Sequence, residues 1–217
     1  MFKSVKLDSV SKIVEERLKE SIEDGTIKAG EKLTEQQICD EMQVSRTPVR
    51  EAFRVLQVEG YLTYKPRFGV VVTELSLQDI YDVWEVRMNI EDLIARKTAR
   101  FADENTKKAI RKELKEIGRV LEQDTIEEDE FKSLDETYYL IHTSNCNNNI
   151  LGEEAKRLRV NSALIRNKPK YSQERARVAL QEITDIYQSY LNNDEEAASQ
   201  YNRIHFLSSL EEIKKFM

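Results

Sequence analysis

The sequence predicts a mainly α protein in two parts, an N-terminal winged helix-turn-helix over residues 1–75 and an all-helical bundle over 76–217. Two observations carry that reading. Six of the nine glycines and prolines (Gly25, Gly30, Pro48, Gly60, Pro66 and Gly69) precede residue 73, leaving Gly118, Gly152 and Pro169 for the rest, so a loop-punctuated small domain precedes a long helical one. Apolar residues also recur at helical spacing through most of the chain, and only residues 61–72 read as strands about a turn. At the usual ~100–200 residues per domain the length accommodates two, and the remaining ~140 residues can bury a core of their own.

Taken in order, Val10, Ile13, Val14, Leu18 and Ile22 mark one face of a first helix over 9–24, which Gly25 ends. Ile27, Ala29, Gly30 and Leu33 read as a tight connection. Thr34 then caps a second helix holding Ile38 and Met42, with Gln37 at the capping-box position. Ser45 opens the third helix, its hydroxyl placed to accept from the backbone N–H of Thr47 or Val49, and Pro48 in the first turn sacrifices no donor. Val49, Ala52, Phe53 and Leu56 form the stripe that this helix buries. Its other face carries Arg46, Thr47, Arg50 and Arg54, guanidinium forks and a hydroxyl suited to guanine edges or phosphates. Gly60 stops the helix, residues 61–64 and 70–72 read as strands, and Lys65, Pro66, Arg67, Phe68 and Gly69 supply the turn. A helix followed by a basic-tipped hairpin is the pattern of a winged helix-turn-helix, whose tip follows the DNA backbone or enters the minor groove.

After a short linker, Ser76 can cap the next helix, and no further strand is expected. Helices are predicted over 77–102, 105–123, 126–145, 147–167, 171–192 and 194–215, separated by Asp103, Asp124-Thr125, residues 145–149, Pro169 and Asn192-Asn193.

The net charge of -6 argues against nucleic acid on its face. Residues 42–73, however, hold five basic side chains against two acidic ones, a local +3 on the proposed reading surface. The acidic balance speaks against a protein that coats DNA without regard to sequence, which would need a broad basic surface. Cys39 and Cys146 lack metal spacing and read as free thiols of a reducing compartment. No apolar run approaches the ~20 residues of a membrane span and the first residues lack a signal-peptide core, so a cytoplasmic protein with no membrane partner is expected. A nucleophile elbow, a phosphate-binding glycine loop and paired histidines are missing, and only His142 and His205 are present, so no enzyme is expected.

The run GTIKAGEKLTEQQICDEMQVSRTPVREAFRVLQVEGYLTYKPRFGVVV closely resembles the DNA-binding domain of the GntR family of bacterial transcription regulators, over about residues 8–75. The resemblance implies double-stranded DNA as partner and Ser45, Arg46, Thr47, Pro48, Arg50, Arg67 and Gly69 as its contacts. Gln36 falls near the DNA backbone, where many relatives carry a basic residue. The segment DIYDVWEVRMNIEDLIARKTA, with Glu85-Val86-Arg87 and Glu91, resembles the opening helix of the FCD-type effector domain of FadR-like members. LDETYYLIH and NNDEEAASQYNRIH stand at two further signatures. By this resemblance the protein is a homodimeric repressor that binds an inverted-repeat operator and senses a small-molecule effector, a carboxylate, in its helical domain. The alternative keeps the architecture with an apolar or acyl-chain effector, or with a metal-dependent carboxylate site.

Arg87 lies among Trp84, Met88 and Ile90, where an unpaired guanidinium would be costly, so it needs either Glu91 at i+4 or an acid from another helix. The resemblance adds a second reading, a fork offered to the effector's carboxylate. Arg159 and Arg166, seven apart, line the same cavity or are solvated; we take them as solvated. Metal-binding FCD domains present an Asp and a His four residues later, then one His on each of two later helices. This chain keeps Asp135 and His205 but has Tyr139 and Ile183 at the other two places; His142, one turn past Tyr139 and on nearly the same face as Asp135, is the one residue that could rescue the site, though the turn moves its donor ~5 Å along the axis. No metal or other cofactor is therefore expected, and Arg87, Asp135, Tyr139, His142 and His205 are read as a metal-free lining that holds the effector by hydrogen bonds.

Overall fold

The structure is a computed structural model that describes residues 9–166 and 172–215. It divides into two compact units, one running to Ile80 and taking in the segment from Arg159, the other beginning at Tyr81.

The first unit contains α1 (Val10–Glu23), β1 (Lys32–Leu33), α2 (Glu35–Met42), α3 (Arg46–Val58), β2 (Leu62–Lys65) and β3 (Gly69–Val72). The strands form one antiparallel sheet in the order β1-β3-β2. β1 corrects the sequence reading of 27–33 as a plain connection. A two-residue strand has no period to recognise, and it forms because Val70 and Val71 of β3 offer a free edge to Lys32 and Leu33. Val14, Leu18 and Ile22 of α1, Ile38 of α2 and the stripe Val49, Ala52, Phe53 and Leu56 of α3 bury one core with Leu33, Leu62 and Val72. The Tyr61 hydroxyl donates to Glu23, tying the start of the hairpin to the end of α1.

The caps explain the helix boundaries. Thr34 accepts from the backbone N–H of Gln37 at 3.2 Å, but the Gln37 amide donates to Glu41 rather than reaching back, so only half of the capping box forms. The turn between α2 and α3 rests on Gln43, whose φ of 54° is left-handed. Ser45 has the extended backbone of an N-cap but makes no side-chain cap hydrogen bond, which corrects the expectation for its hydroxyl. The reason is Pro48: it occupies the third helical position, where an N-cap oxygen usually finds its donor, and proline has no N–H.

The second unit contains α4 (Leu77–Phe101, belonging here from Tyr81), α5 (Glu104–Leu121), α6 (Glu128–Ser144), the start of α7 (Asn149–Arg166), α8 (Gln173–Leu191) and α9 (Glu195–Lys214). These six helices follow the predicted ones with ends displaced by up to two residues; the expected boundaries at 167 and 171 and the breaker Pro169 lie outside the described residues. The Ser76 hydroxyl does cap α4, accepting from the Asp79 N–H, while Asp79 accepts from the Ser76 N–H.

α8 is the central helix, with Ala176, Leu180, Ile183, Ile186, Tyr187 and Tyr190 buried among α5, α6 and residues of α4 and α9. From α8, Arg177 reaches the end of α5 and donates to the carbonyls of Leu121, Gln123 and Asp124, capping orphan acceptors with a positive charge. Gln173 grips Ile126 by both its N–H and its carbonyl. α9 returns beside α4: the Trp84 indole donates to the Phe206 carbonyl at 3.1 Å, and Arg96 and Arg100 pair with Glu196 and Glu195. Gly152 of α7 lies against the end of α6, where a Cβ would come within 2.9 Å of the Thr143 carbonyl oxygen. Among the described residues no helix is long and apolar enough to cross a membrane.

Candidate functional site

In the first unit most of the residues expected at DNA are exposed. Ser45, Arg46, Thr47, Arg50 and Arg54 are exposed at the start and along the outer side of α3, and Pro48 is half-buried between them. Burying Val49, Ala52, Phe53 and Leu56 turns the arginines outward. Two of them are held by α2. Arg50 Nε donates to both oxygens of Glu35, at 2.8 and 2.9 Å, while its side chain stays 61% exposed. Arg46 Nη2 donates to Gln36 Oε1 at 2.7 Å, and the Gln36 amide nitrogen donates to Asp40 at 2.8 Å. Sequence reasoning missed the Glu35 contact because it spans fifteen positions with no periodic signature.

The hairpin tip is exposed from Lys65 to Phe68 and closed by the Phe68 N–H donating to the Lys65 carbonyl at 3.0 Å. Arg67 lies at φ 66° and Gly69 at φ 103°, both left-handed. The Lys32 ammonium lies 5.3 Å from the centre of the Phe68 ring, bracing the tip from β1.

In the second unit three of the five expected lining residues, Arg87, His142 and His205, take part in buried polar contacts. Arg87 is 4% exposed and packs over Phe206 and Trp84, at 4.8 and 5.4 Å to the ring centres. Its Nη2 donates to Glu91 Oε1 at 3.1 Å, so the i+4 partner is the one found. Glu91 is fully buried, and its other oxygen lies 2.9 Å from His142 Nε2, while His142 Nδ1 lies 2.5 Å from the Tyr190 hydroxyl. With Glu91 ionised, Tyr190 donates to His142 and His142 to Glu91. Burial opposes that charge, but the His142 hydrogen bond and the Arg87 charge outweigh it and hold the carboxyl below its ordinary range.

His205 belongs to a second set: its Nδ1 lies 2.9 Å from Glu182 Oε2, which also accepts two hydrogen bonds from Arg175. The ring of Tyr138 links the two sets, 5.5 Å from His142 and 5.8 Å from His205, with its hydroxyl donating to Asn202. Burial pushes the Tyr138 and Tyr190 hydroxyls well above their ordinary range. Arg87 and His142 thus meet on one carboxylate, and His205 is joined to them through an aromatic ring. On α6, Asp135 is half-buried and Tyr139 buried. Arg159 is half-buried, and the Arg166 side chain lies outside the described residues. Tyr138, Glu182, Tyr190 and Asn202 were missed: Glu182 and Tyr190 join the cluster from α8, remote in sequence, and Tyr138 and Asn202, though one turn from His142 and His205 on their own helices, carry no spacing signal that marks them.

The donors do not fit a metal. Ile183 is fully buried in the apolar core, Tyr139 offers a phenol in place of imidazole, and His205 is committed to Glu182. Among the described residues no three His, Cys, Asp or Glu side chains converge as a metal site, which needs at least about three protein ligands.

Family comparisons decide what this pair of units is. Residues 11–72 match the family of bacterial regulatory proteins named gntR, and residues 82–208 match the FCD domain. The chain is a GntR-family transcription regulator with an FCD-type effector domain. This GntR/FCD regulator is a DNA-binding protein, not an enzyme. It is 28% identical over 198 residues, 91% of this chain and 88% of the other, to an uncharacterised helix-turn-helix regulator, YdhC, of Bacillus subtilis. It is 36% identical over 77 residues, 36% of this chain and 31% of the other, to the gluconate operon transcriptional repressor of the same species. Its fold is similar to that of McbR/YncC from E. coli, with a TM-score of 0.79 at 16% identity over 96% of this chain and 99% of that one. A GntR transcriptional regulator from Rhodococcus sp. RHA1 gives 0.71 at 21% identity, covering 95% and 98%.

Proposed function

We propose that this regulator is a cytoplasmic homodimeric repressor whose reader, residues 1–75, engages an inverted-repeat operator and whose helical domain, residues 76–217, dimerises and binds a small carboxylate. The observation that carries the reading is the pair of exposed guanidinium groups, Arg46 and Arg50, at the start of α3 beside a basic wing, in a chain of net charge -6. Ser45, Thr47, Pro48, Arg67 and Gly69 complete the contact surface. Two readers held about one DNA turn apart, ~34 Å, engage both half-sites. An effector that favours a different spacing shifts the population off the operator. In the helical domain the effector exchanges for Glu91 at the Arg87 fork, with Asp135, Tyr139, His142 and His205 around it.

A second reading is favoured by one observation: both oxygens of Glu91 are already taken, one by Arg87 and one by His142, which is in turn paired with Tyr190. In that case the polar interior is purely structural and the effector is apolar or an acyl chain. Gel shift on an operator selected from random duplexes tests the reader: Arg46→Ala or Arg50→Ala weakens specific binding by about 1–3 kcal/mol if the side chain reads a base. Binding that survives both substitutions together overturns the assignment. A thermal-shift screen of carboxylates against acyl thioesters tests the effector, since a ligand at 100 times its Kd adds about 2.7 kcal/mol. A monomer at micromolar concentration on sedimentation refutes the dimer.

A further inference from the structure

Arg46 and Arg50 lie one helical turn apart on α3, and α2 holds them in chemically different ways. Arg50 meets a carboxylate: its single Nε–H is shared between the two oxygens of Glu35. Arg46 meets a neutral amide through one hydrogen of Nη2. The Gln36 amide is oriented by both its contacts, its oxygen accepting from Arg46 and its nitrogen donating to Asp40. An exposed ion pair adds little to folding, and α2 already packs on α3 through Ile38 and Val49. What the Glu35 contact does is fix the rotamers of a long side chain and choose which of its edges is presented.

A guanidinium has five N–H donors in a planar fork. With Nε occupied from the side, Nη1 and Nη2 each keep one hydrogen directed off the end of the fork. That end matches the paired acceptors O6 and N7 of guanine in the major groove. The neighbouring carboxylate also offsets the charge of Arg50, which weakens it as a phosphate ligand but not as a reader of a neutral base edge. Arg46, held by an amide, keeps its full charge.

We propose that Glu35 is a positioning residue that makes Arg50 the reader of one guanine in each half-site, while Gln36 steers a fully charged Arg46 to a phosphate. The proposal rests on the assignment of α3 as the DNA-reading helix and adds a division of labour between its two arginines.

The test is binding-site selection from a random duplex library with the full chain, repeated at several salt concentrations for the wild type, Glu35→Ala, Glu35→Gln, Arg50→Ala, Arg46→Ala and the Glu35→Ala/Arg50→Ala double variant. The wild type enriches a motif containing a preferred guanine. Glu35→Ala relaxes the preference at the same base pair as Arg50→Ala, by about tenfold, and the double variant is no worse than Arg50→Ala. Glu35→Gln keeps an acceptor for Nε and retains part of the preference. Arg46→Ala lowers affinity on all sequences and reduces the salt slope by about 1, as loss of one phosphate contact does, whereas Glu35→Ala and Arg50→Ala leave the slope near that of the wild type. Thermal melting checks the fold, with the Thr34 cap of α2 intact in every variant. A Glu35→Ala protein that is folded and keeps the wild-type guanine preference overturns the proposal. So does one that loses affinity equally on every sequence, or an Arg50→Ala protein that changes the slope and spares the preference. A wild type that enriches no motif sinks the DNA-reading assignment beneath it, a different failure and visible as such.

Discussion

Removing the Glu91 carboxylate tests whether the polar interior of the helical unit is a single coupled system. Glu91→Ala deletes the acceptor of Arg87 Nη2 at 3.1 Å and of His142 Nε2 at 2.9 Å, both inside a region where Arg87 is 4% and His142 1% exposed. The cost is less the lost attraction than the guanidinium left buried beside Trp84 and Phe206 without its carboxylate. Breaking a buried pair in this way typically costs about 3–5 kcal/mol, and for a chain of this size each kcal/mol lowers Tm by about 2–4 °C. Urea denaturation followed by far-UV circular dichroism measures the loss, and calorimetry gives the expected drop in Tm of roughly 6–20 °C. The same variant opens a carboxylate-sized gap facing two donors, so acetate or propionate restores stability in a concentration-dependent way, following RT ln(1 + [L]/Kd). A loss of less than about 1 kcal/mol, the range of an exposed pair, refutes the argument. So does rescue by chloride at equal ionic strength to the same extent as by acetate.

Other perturbations have equally definite outcomes. Gly152→Ala places a methyl group 2.9 Å from the Thr143 carbonyl oxygen, so α7 must shift, and the variant is destabilised by about 1–3 kcal/mol in urea despite the higher helix propensity of alanine. The Glu91 carboxyl is held below its ordinary value of 4.5, so its contribution to stability is complete above that pH and is lost as pH falls through the lower, folded-state value; Glu91→Gln removes that part of the acid-induced loss. Elemental analysis of protein purified without chelator or affinity metal gives substoichiometric zinc, nickel and manganese; near-stoichiometric metal lost on Asp135→Ala would contradict the donor set at Tyr139 and Ile183.

The helices were legible because each carries its own evidence: an apolar stripe such as Val49, Ala52, Phe53 and Leu56, and a start or stop such as Thr34, Ser76 or Gly60. Local rules failed where a partner came from elsewhere in the chain, or where one local signal cancelled another. β1 exists only through its pairing with β3, and the Ser45 cap fails because the residue at its usual donor position is proline. The same division holds at the sites. Arg87 and Glu91 are one turn apart and so could be paired from spacing alone, whereas Glu35 with Arg50, Tyr190 with His142 and Glu182 with His205 meet only after the helices pack. The apolar neighbours of Arg87 showed that it needed an acid, and spacing offered Glu91, but neither showed that His142 would share it.

Arg67 occupies a left-handed backbone position at the tip of the wing, φ 66°, which costs a residue bearing a Cβ roughly 1–2 kcal/mol and glycine almost nothing. Hairpin closure by Phe68 and Lys65 keeps it there. With Arg67 in the contact surface proposed above, folding and grip on DNA pull this one position in opposite directions: Arg67→Gly should raise the melting temperature while loosening the complex. A selection for heat resistance alone would tend to disarm the wing, and a selection for tighter binding would preserve its tension.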